Sequence, residues 1–144
     1  MLAGNVKIIK TQPDLPTPAY YSDGAAGLDL AANDNYAIAP GEIRVIRTGI
    51  KMEIPEGCEG TIRGRSGLAF KHHVFATHIG TIDADYRGEL LVMLINRGTD
   101  IYWISKGDRV GQIVISPIVK VSVEEVDLLS KSKRSANGFG NTGK

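Results

Sequence analysis

The sequence predicts an all-β domain of the sandwich or barrel type. Three observations predict it: short runs of β-branched residues recur about every ten positions, Gly, Pro, Asn and Asp punctuate them, and the apolar period of a helix is scarce. A length of 144 residues suits one domain with its own core. Val6 to Ile9 opens the series as an alternating strand. Pro13, Pro16 and Pro18 then impose an extended surface connector, because proline cannot donate to a central ladder. Strands follow at Leu28 to Ala31, Ile43 to Thr48, Ile50 to Ile54 and Gly60 to Arg63. Ser66 to Lys71 is the one short helix, opened by Arg65-Ser66-Gly67 and carrying Leu68, Ala69 and Phe70. Strands resume at Glu89 to Asn96, Ile101 to Ile104, Val110 to Ser116 and Val119 to Val123. Ala39-Pro40-Gly41-Glu42, Pro55-Glu56-Gly57 and Ser105-Lys106-Gly107-Asp108 are turns in which a glycine takes positive φ, the spacing of a meander or Greek key. Residues 130–144 hold one large apolar side chain, Phe139, and cannot pack a core alone. The expected division is a β domain over 1–129 and a mobile arm over 130–144.

Charge narrows the function classes without naming one. Seventeen Lys and Arg against sixteen Asp and Glu leave a net charge of +1, which excludes a histone-like coat or a polyanion mimic, and the apolar runs are too short to span a bilayer. Neither a membrane nor nucleic acid is an expected partner. Cys58 is a single cysteine without a disulfide partner in the chain, and Met1 to Lys10 lacks the apolar block of a secretory signal. The expected compartment is reducing, cytosol or nucleus.

Three constellations carry chemistry. Gly80 to Glu89 crowds Asp83, Asp85, Tyr86 and Arg87 into a glycine-bounded turn ahead of the apolar strand. It reads either as a hairpin whose Asp residues supply turn hydrogen bonds, or as a sugar pocket floored by the Tyr86 ring with a carboxylate placed to take a hydroxyl or water. Gly64-Arg65-Ser66-Gly67-Leu68-Ala69 runs from a strand into a helix start, and is equally an oligophosphate cradle or an N-capped surface helix with an exposed arginine. The segment Arg134 to Gly143 has the composition of a disordered tail. Its single Phe139 between glycines, flanked by Arg134 and Thr142, also suits an arm that closes over a ligand with its ring on a base and its arginine on phosphate.

Taken in order, five motifs resemble those of the trimeric deoxyuridine triphosphatases across nearly the whole chain: Ala26-Gly27-Leu28-Asp29-Leu30, Arg65-Ser66-Gly67-Leu68, Gly80 to Gly88, Gly107-Asp108-Arg109-Val110-Gly111-Gln112, and the Gly/Phe tail. The resemblance implies a jelly-roll-like β-sandwich, a homotrimer with each site built from three chains, and hydrolysis of dUTP to dUMP and pyrophosphate with Mg²⁺ held mainly by the substrate phosphates and water. By the same resemblance Asp83 activates the attacking water and touches the sugar 3′-hydroxyl, and Tyr86 packs on C2′ against ribonucleotides. Arg65, Ser66 and Gly67 bind the phosphate chain, Gln112 orders the site beneath it, and Asp29 holds a water of the metal shell. Thr77, Gly80, Thr81, Ile82 and Leu91 line the nucleoside. Phe139 with Gly140 covers uracil, while Arg134 and Thr142 close on the outer phosphates from a neighbouring chain. Uracil recognition is expected from hairpin backbone groups, since one N–H and one C=O suffice to tell it from cytosine.

Several positions depart from the family pattern. Thr77 stands where Asn is common in bacterial-type members, Gly64 where Pro is common, and Ser135, Asn137 and Asn141 where Gly, Gly and Ser are usual, with Asn137 able to serve as the tail bend. A dCTP deaminase of the same fold would need a glutamate ten residues after the Asp83 position, where this chain has Met93. A non-catalytic binding module touching protein or nucleic acid through Lys131, Lys133 and Arg134 is the rival from another class, opposed by the joint presence of the motif residues. His72, His73 and His78 read as loop histidines and not as a transition-metal site, Trp103 and Phe75 as packing residues, and Cys58 as a half-buried thiol without an activating base.

Overall fold

Strands form where apolar side chains occupy every second position, because such a run can bury one face and leave the other wet. Glu89–Asn96 shows this most fully: Leu90, Val92, Leu94 and Asn96 are buried, while Leu91 between them is exposed. The computed structural model describes residues 4–138, and among them are ten strands and one helix. In chain order these are β1 (Lys7–Lys10), β2 (Leu28–Ala31), β3 (Tyr36–Ile38), β4 (Ile43–Glu53), β5 (Cys58–Arg63), α1 (Ser66–His72), β6 (Val74–Ala76), β7 (Gly80–Ile82), β8 (Glu89–Asn96), β9 (Tyr102–Ile104) and β10 (Arg109–Pro117).

Two four-stranded antiparallel sheets, ordered β1-β4-β8-β6 and β2-β10-β5-β7, supply the core, and β3 with β9 makes a third, two-stranded ribbon. Ile46, Ile50, Met52, Leu90, Val92 and Leu94 line the inner face of the first sheet, and Leu28, Leu30, Ile62, Val110 and Ile113 that of the second. Each such side chain removed from water contributes about 1.5–3 kcal/mol, so the two inner faces hold the sandwich together and leave its outer faces and loops free for function. The arrangement is a jelly-roll sandwich with one short helix, as the sequence predicts. No helix among the described residues is long and apolar enough to cross a membrane.

Boundaries differ where tertiary pairing overrides the local signal. Ile43 to Thr48 and Ile50 to Ile54 are not separate strands: both belong to β4, whose pairing with β8 shifts register between Arg47 and Lys51. Gly49 makes the bulge, with φ at 68° and no room for a Cβ against Leu15 and the Thr11 hydroxyl. Strands β3, β6 and β7 escape prediction because their three residues each show no alternation, whereas the equally short β9 is marked by the apolar run Ile101 to Ile104. The predicted strand Val119 to Val123 does not form. Its alternation is real, but no strand among the described residues pairs with it, and Val119, Val121 and Val123 are 89%, 78% and 94% exposed. Trp103 and Phe75 are likewise not packing residues of this chain, being 70% and 40% exposed on the outer faces of β9 and β6. Cys58 is buried in the core cluster, not half-buried, because β5 turns it inward opposite Pro117. The three turn glycines, Gly41, Gly57 and Gly107, do take positive φ.

Candidate active site

Three neighbouring strands gather one end of the site. Gln112 on β10 is the register partner of Asp29 on β2 and of Arg63 on β5, so the first and fourth motifs form a row across one sheet that ends at the strand leading into the second. Gln112 Nε2 donates to the Gly64 carbonyl at 3.2 Å, tying β10 to the junction between β5 and α1. Arg109 bridges the row: its Nη1 pairs with Asp29 Oδ2 at 2.9 Å, its guanidinium lies 4.4 Å above the Tyr21 ring centroid, and its carbonyl accepts from Arg65 Nη1 at 3.0 Å. Arg65 is the N-cap of α1, with extended backbone and no side-chain capping bond, and the first turn contains no acid. The first-turn N–H groups beside Ser66 and Gly67 are therefore open to an anion. Arg63, Arg65, Ser66, Phe75, His78 and Ile79 line a cleft here.

The Asp83 hairpin makes the other end. Strand β7 pairs with β5 from Gly80 opposite Ile62 to Ile82 opposite Gly60, which sets Asp83 level with Glu59. The Tyr86 amide donates to the Asp83 carbonyl at 3.1 Å, so carboxylate and ring stand at the two ends of one turn. Arg87 Nη1 caps that turn through the Ala84 and Tyr86 carbonyls, at 2.7 and 2.9 Å. Asp83 and Asp85 share a second cleft with Glu53, Glu59, Arg87 and Lys120. Lys7, bonded to Glu53 at 2.7 Å, holds the Glu53 carboxyl below its ordinary value.

One chain does not bring these ends together. From the Gln112–Arg63 row to the level of Glu59 is four residues of β5, about 13 Å at 3.3 Å per residue, and the two clefts have no lining residue in common. Thr77 stands beside the Arg65 cleft, between its lining residues Ala76 and His78, with its hydroxyl 3.1 Å from His78 Nδ1 and its amide paired with the Met93 carbonyl. Gly80, Thr81 and Ile82 form β7 itself. Leu91 is exposed on the outer face of β8, register partner of Arg47, apart from both clefts. Arg134 folds on its own segment, donating from Nε to the Asn137 carbonyl at 2.8 Å, and the left-handed residue of the tail is Ser135, at φ 50°, instead of Asn137. Phe139, Gly140 and Thr142 lie outside the described residues. Among the described residues no group of three or more His, Cys, Asp or Glu could hold a metal.

A dUTPase family model matches residues 14–143. The chain belongs to the dUTPase family. Curated relatives of the family include the deoxyuridine 5'-triphosphate nucleotidohydrolases of Anaeromyxobacter sp., 48% identical over 92% of this chain and 90% of that protein, and of Rhizobium etli, 49% identical over 90% and 86%. Among solved structures, the dUTPase of Staphylococcus bacteriophage 80alpha with dUPNHPP superposes with a TM-score of 0.92 at 27% identity, covering 97% of this chain and 99% of that one. Within this dUTPase-family site, sequence reasoning assigned no role to Arg109 or Tyr21. Arg109 stands inside the fourth motif and was in view, whereas the Tyr21 contact spans 88 positions and leaves no local spacing to read.

Proposed function

We propose that the protein hydrolyses dUTP to dUMP and pyrophosphate by attack of water on the α-phosphorus, in a homotrimer whose sites combine the two separated ends. The match across residues 14–143, with the motif residues retained, carries the reaction. Asp83 serves as base: it is exposed on a turn fixed by the Tyr86 amide and Arg87, so its carboxylate can hold a water in line without side-chain competition. Tyr86 sets its ring beside C2′ and leaves no space for a 2′-hydroxyl. Arg65 with the Ser66 and Gly67 amides takes the phosphate chain, and Gln112 keeps the β5–α1 junction in place beneath it. Backbone groups of β7 and the preceding Thr77-His78-Ile79 loop read uracil. The arm supplies Arg134, Phe139, Gly140 and Thr142 as a cover.

The residues present fit Mg²⁺ held by substrate. The ion pair with Arg109 uses Asp29 Oδ2 and leaves the other carboxylate oxygen for a metal-bound water. When bound, Mg²⁺ supplies neutralisation of the triphosphate charge and of the leaving pyrophosphate. Arg65 adds fixed positive charge at the same place.

Two surfaces support association of copies. The outer face of the first sheet presents Ile43, Val45, Leu91, Met93, Ile95 and Phe75 in adjoining registers, a contiguous apolar patch. Beyond Pro117, Val119, Val121 and Val123 keep strand alternation without pairing to a strand among the described residues, as a segment that pairs with a second copy would. A single cysteine, buried and unpaired, supports a reducing compartment, the cytosol or nucleus.

The test is complementation. Asp83→Asn and Arg65→Ala are each expected to be nearly inactive on dUTP, yet mixed and refolded together they should regain about a quarter of wild-type pyrophosphate release, since random assembly pairs an intact Asp83 with an intact Arg65 in that share of sites. No recovery, with trimers shown to have exchanged, would place both residues in one chain's site. Release from dUTP, UTP, dCTP and dTTP side by side separates the enzyme from a non-catalytic module and from a deaminase.

A further inference from the structure

Gly88 ends the hairpin that carries Tyr86, and its backbone does not require glycine. Its φ lies outside the left-handed region, so an L-residue could adopt the same conformation. The surrounding space does require it. A Cβ built at Gly88 would fall on the Tyr86 hydroxyl and its Cζ, and would come within 2.8 Å of Cε2. The ring thus lies folded back against the Gly88 backbone, with its hydroxyl donating to the Glu89 carbonyl at 3.1 Å.

That carbonyl is itself fixed from another strand. The Glu89 carboxylate accepts Arg47 Nε and Nη2 on Oε2, at 3.0 and 2.8 Å, and the Gly49 amide on Oε1 at 2.7 Å. Next to it, Thr48 Oγ1 donates to the Leu90 carbonyl at 2.7 Å. The bulge of β4 therefore clamps the first two residues of β8, and the Tyr86 hydroxyl is tied to the clamped backbone. Only 14% of the Glu89 side chain is exposed, so its charged hydrogen bonds are partly shielded from water.

We infer that Gly88 is a specificity-determining position: by admitting the Tyr86 ring against its backbone, and with the Glu89 carbonyl as anchor, it sets the ring orientation that excludes a 2′-hydroxyl. This rests on the reading of Tyr86 as the sugar filter. A side chain at 88 pushes the ring out of the hairpin and away from C2′, and the space opened there lowers the preference for deoxyribose.

The experiment measures kcat/KM for dUTP and UTP in wild type, Gly88→Ala, Tyr86→Ala and the double variant, with thermal unfolding alongside. Gly88→Ala is expected to raise the UTP/dUTP ratio about tenfold, the scale of one misplaced methyl in a substrate pocket. In the Tyr86→Ala background the same change should leave the ratio unaltered and should not lower Tm, because the obstructing ring is gone. A folded Gly88→Ala enzyme with the wild-type ratio, beside a Tyr86→Ala enzyme with a raised one, would overturn the role of Gly88 and leave the filter standing. An unchanged ratio in Tyr86→Ala would remove the filter and the inference with it. If Gly88→Ala fails to fold, the double variant decides: it should fold as well as Tyr86→Ala alone, and its failure would show that position 88 needs glycine for a reason unrelated to the ring.

Discussion

The cleft beside Asp83 and the cleft beside Arg65 lie at opposite ends of strand β5 and are chemically opposite. The first is lined by Glu53, Glu56, Glu59, Asp83 and Asp85 against Arg87 and Lys120; the second by Arg63 and Arg65, with His78 and no acid. Neither suffices for a nucleoside triphosphate. Carboxylates alone would repel four phosphate charges, and arginines alone would hold the chain without readying a water. A sheet keeps them apart because residues on one strand separate by about 3.3 Å per position and cannot fold back on themselves. In the proposed homotrimer, meeting across copies resolves this, with one rigid face presenting Asp83 and another the arginines.

The comparison breaks most sharply at the acidic end. Asp83→Asn should lower kcat on dUTP about a thousandfold while a non-hydrolysable analogue binds with near wild-type affinity; single-turnover release and calorimetric titration check the two halves of the claim. Next comes separation of the copies. Val45→Asp places a charge in the apolar outer face without touching either cleft, so dilute samples should sediment as folded monomers and lose most dUTP turnover. A trimer with full activity would show that this face does not join the copies.

Smaller effects sharpen the basic end. Tyr21→Ala removes the aromatic surface under Arg109 and should raise KM for dUTP about two- to fivefold with kcat little changed, while Tyr21→Phe keeps the stacking and the wild-type KM. Smallest is the acid response at the edge of the Asp83 cleft. Lys7 lowers the folded-state pKa of Glu53, so this pair stabilises the protein above the ordinary carboxylate value of 4.5 and ceases to do so as pH falls through the lowered value. Lys7→Met should therefore lower Tm slightly at neutral pH, and the gap to wild type should close in strong acid, as followed by melting curves across pH.

Much was legible because it is local. Alternation exposed β8 and β10, Gly41, Gly57 and Gly107 announced their turns, and the motif residues from Asp29 to Gln112 identified the family. The short strands β3, β6 and β7 escaped, since they are defined by a neighbour's hydrogen bonds and not by their own pattern. Val119 to Val123 shows the reverse: a strand pattern with no strand, because alternation prepares a segment for pairing but cannot supply its partner. The sequence by itself determined the fold class and the turns, consequences of local propensity and periodicity, and through its motifs the family. Only the tertiary structure decided that Arg109 joins Tyr21, Asp29 and Arg65, that the Tyr86 ring rests on Gly88, and that Asp83 and the arginines lie towards opposite ends of β5. Those are facts of sheet register and packing between residues far apart in the chain, and spacing along the chain does not encode them.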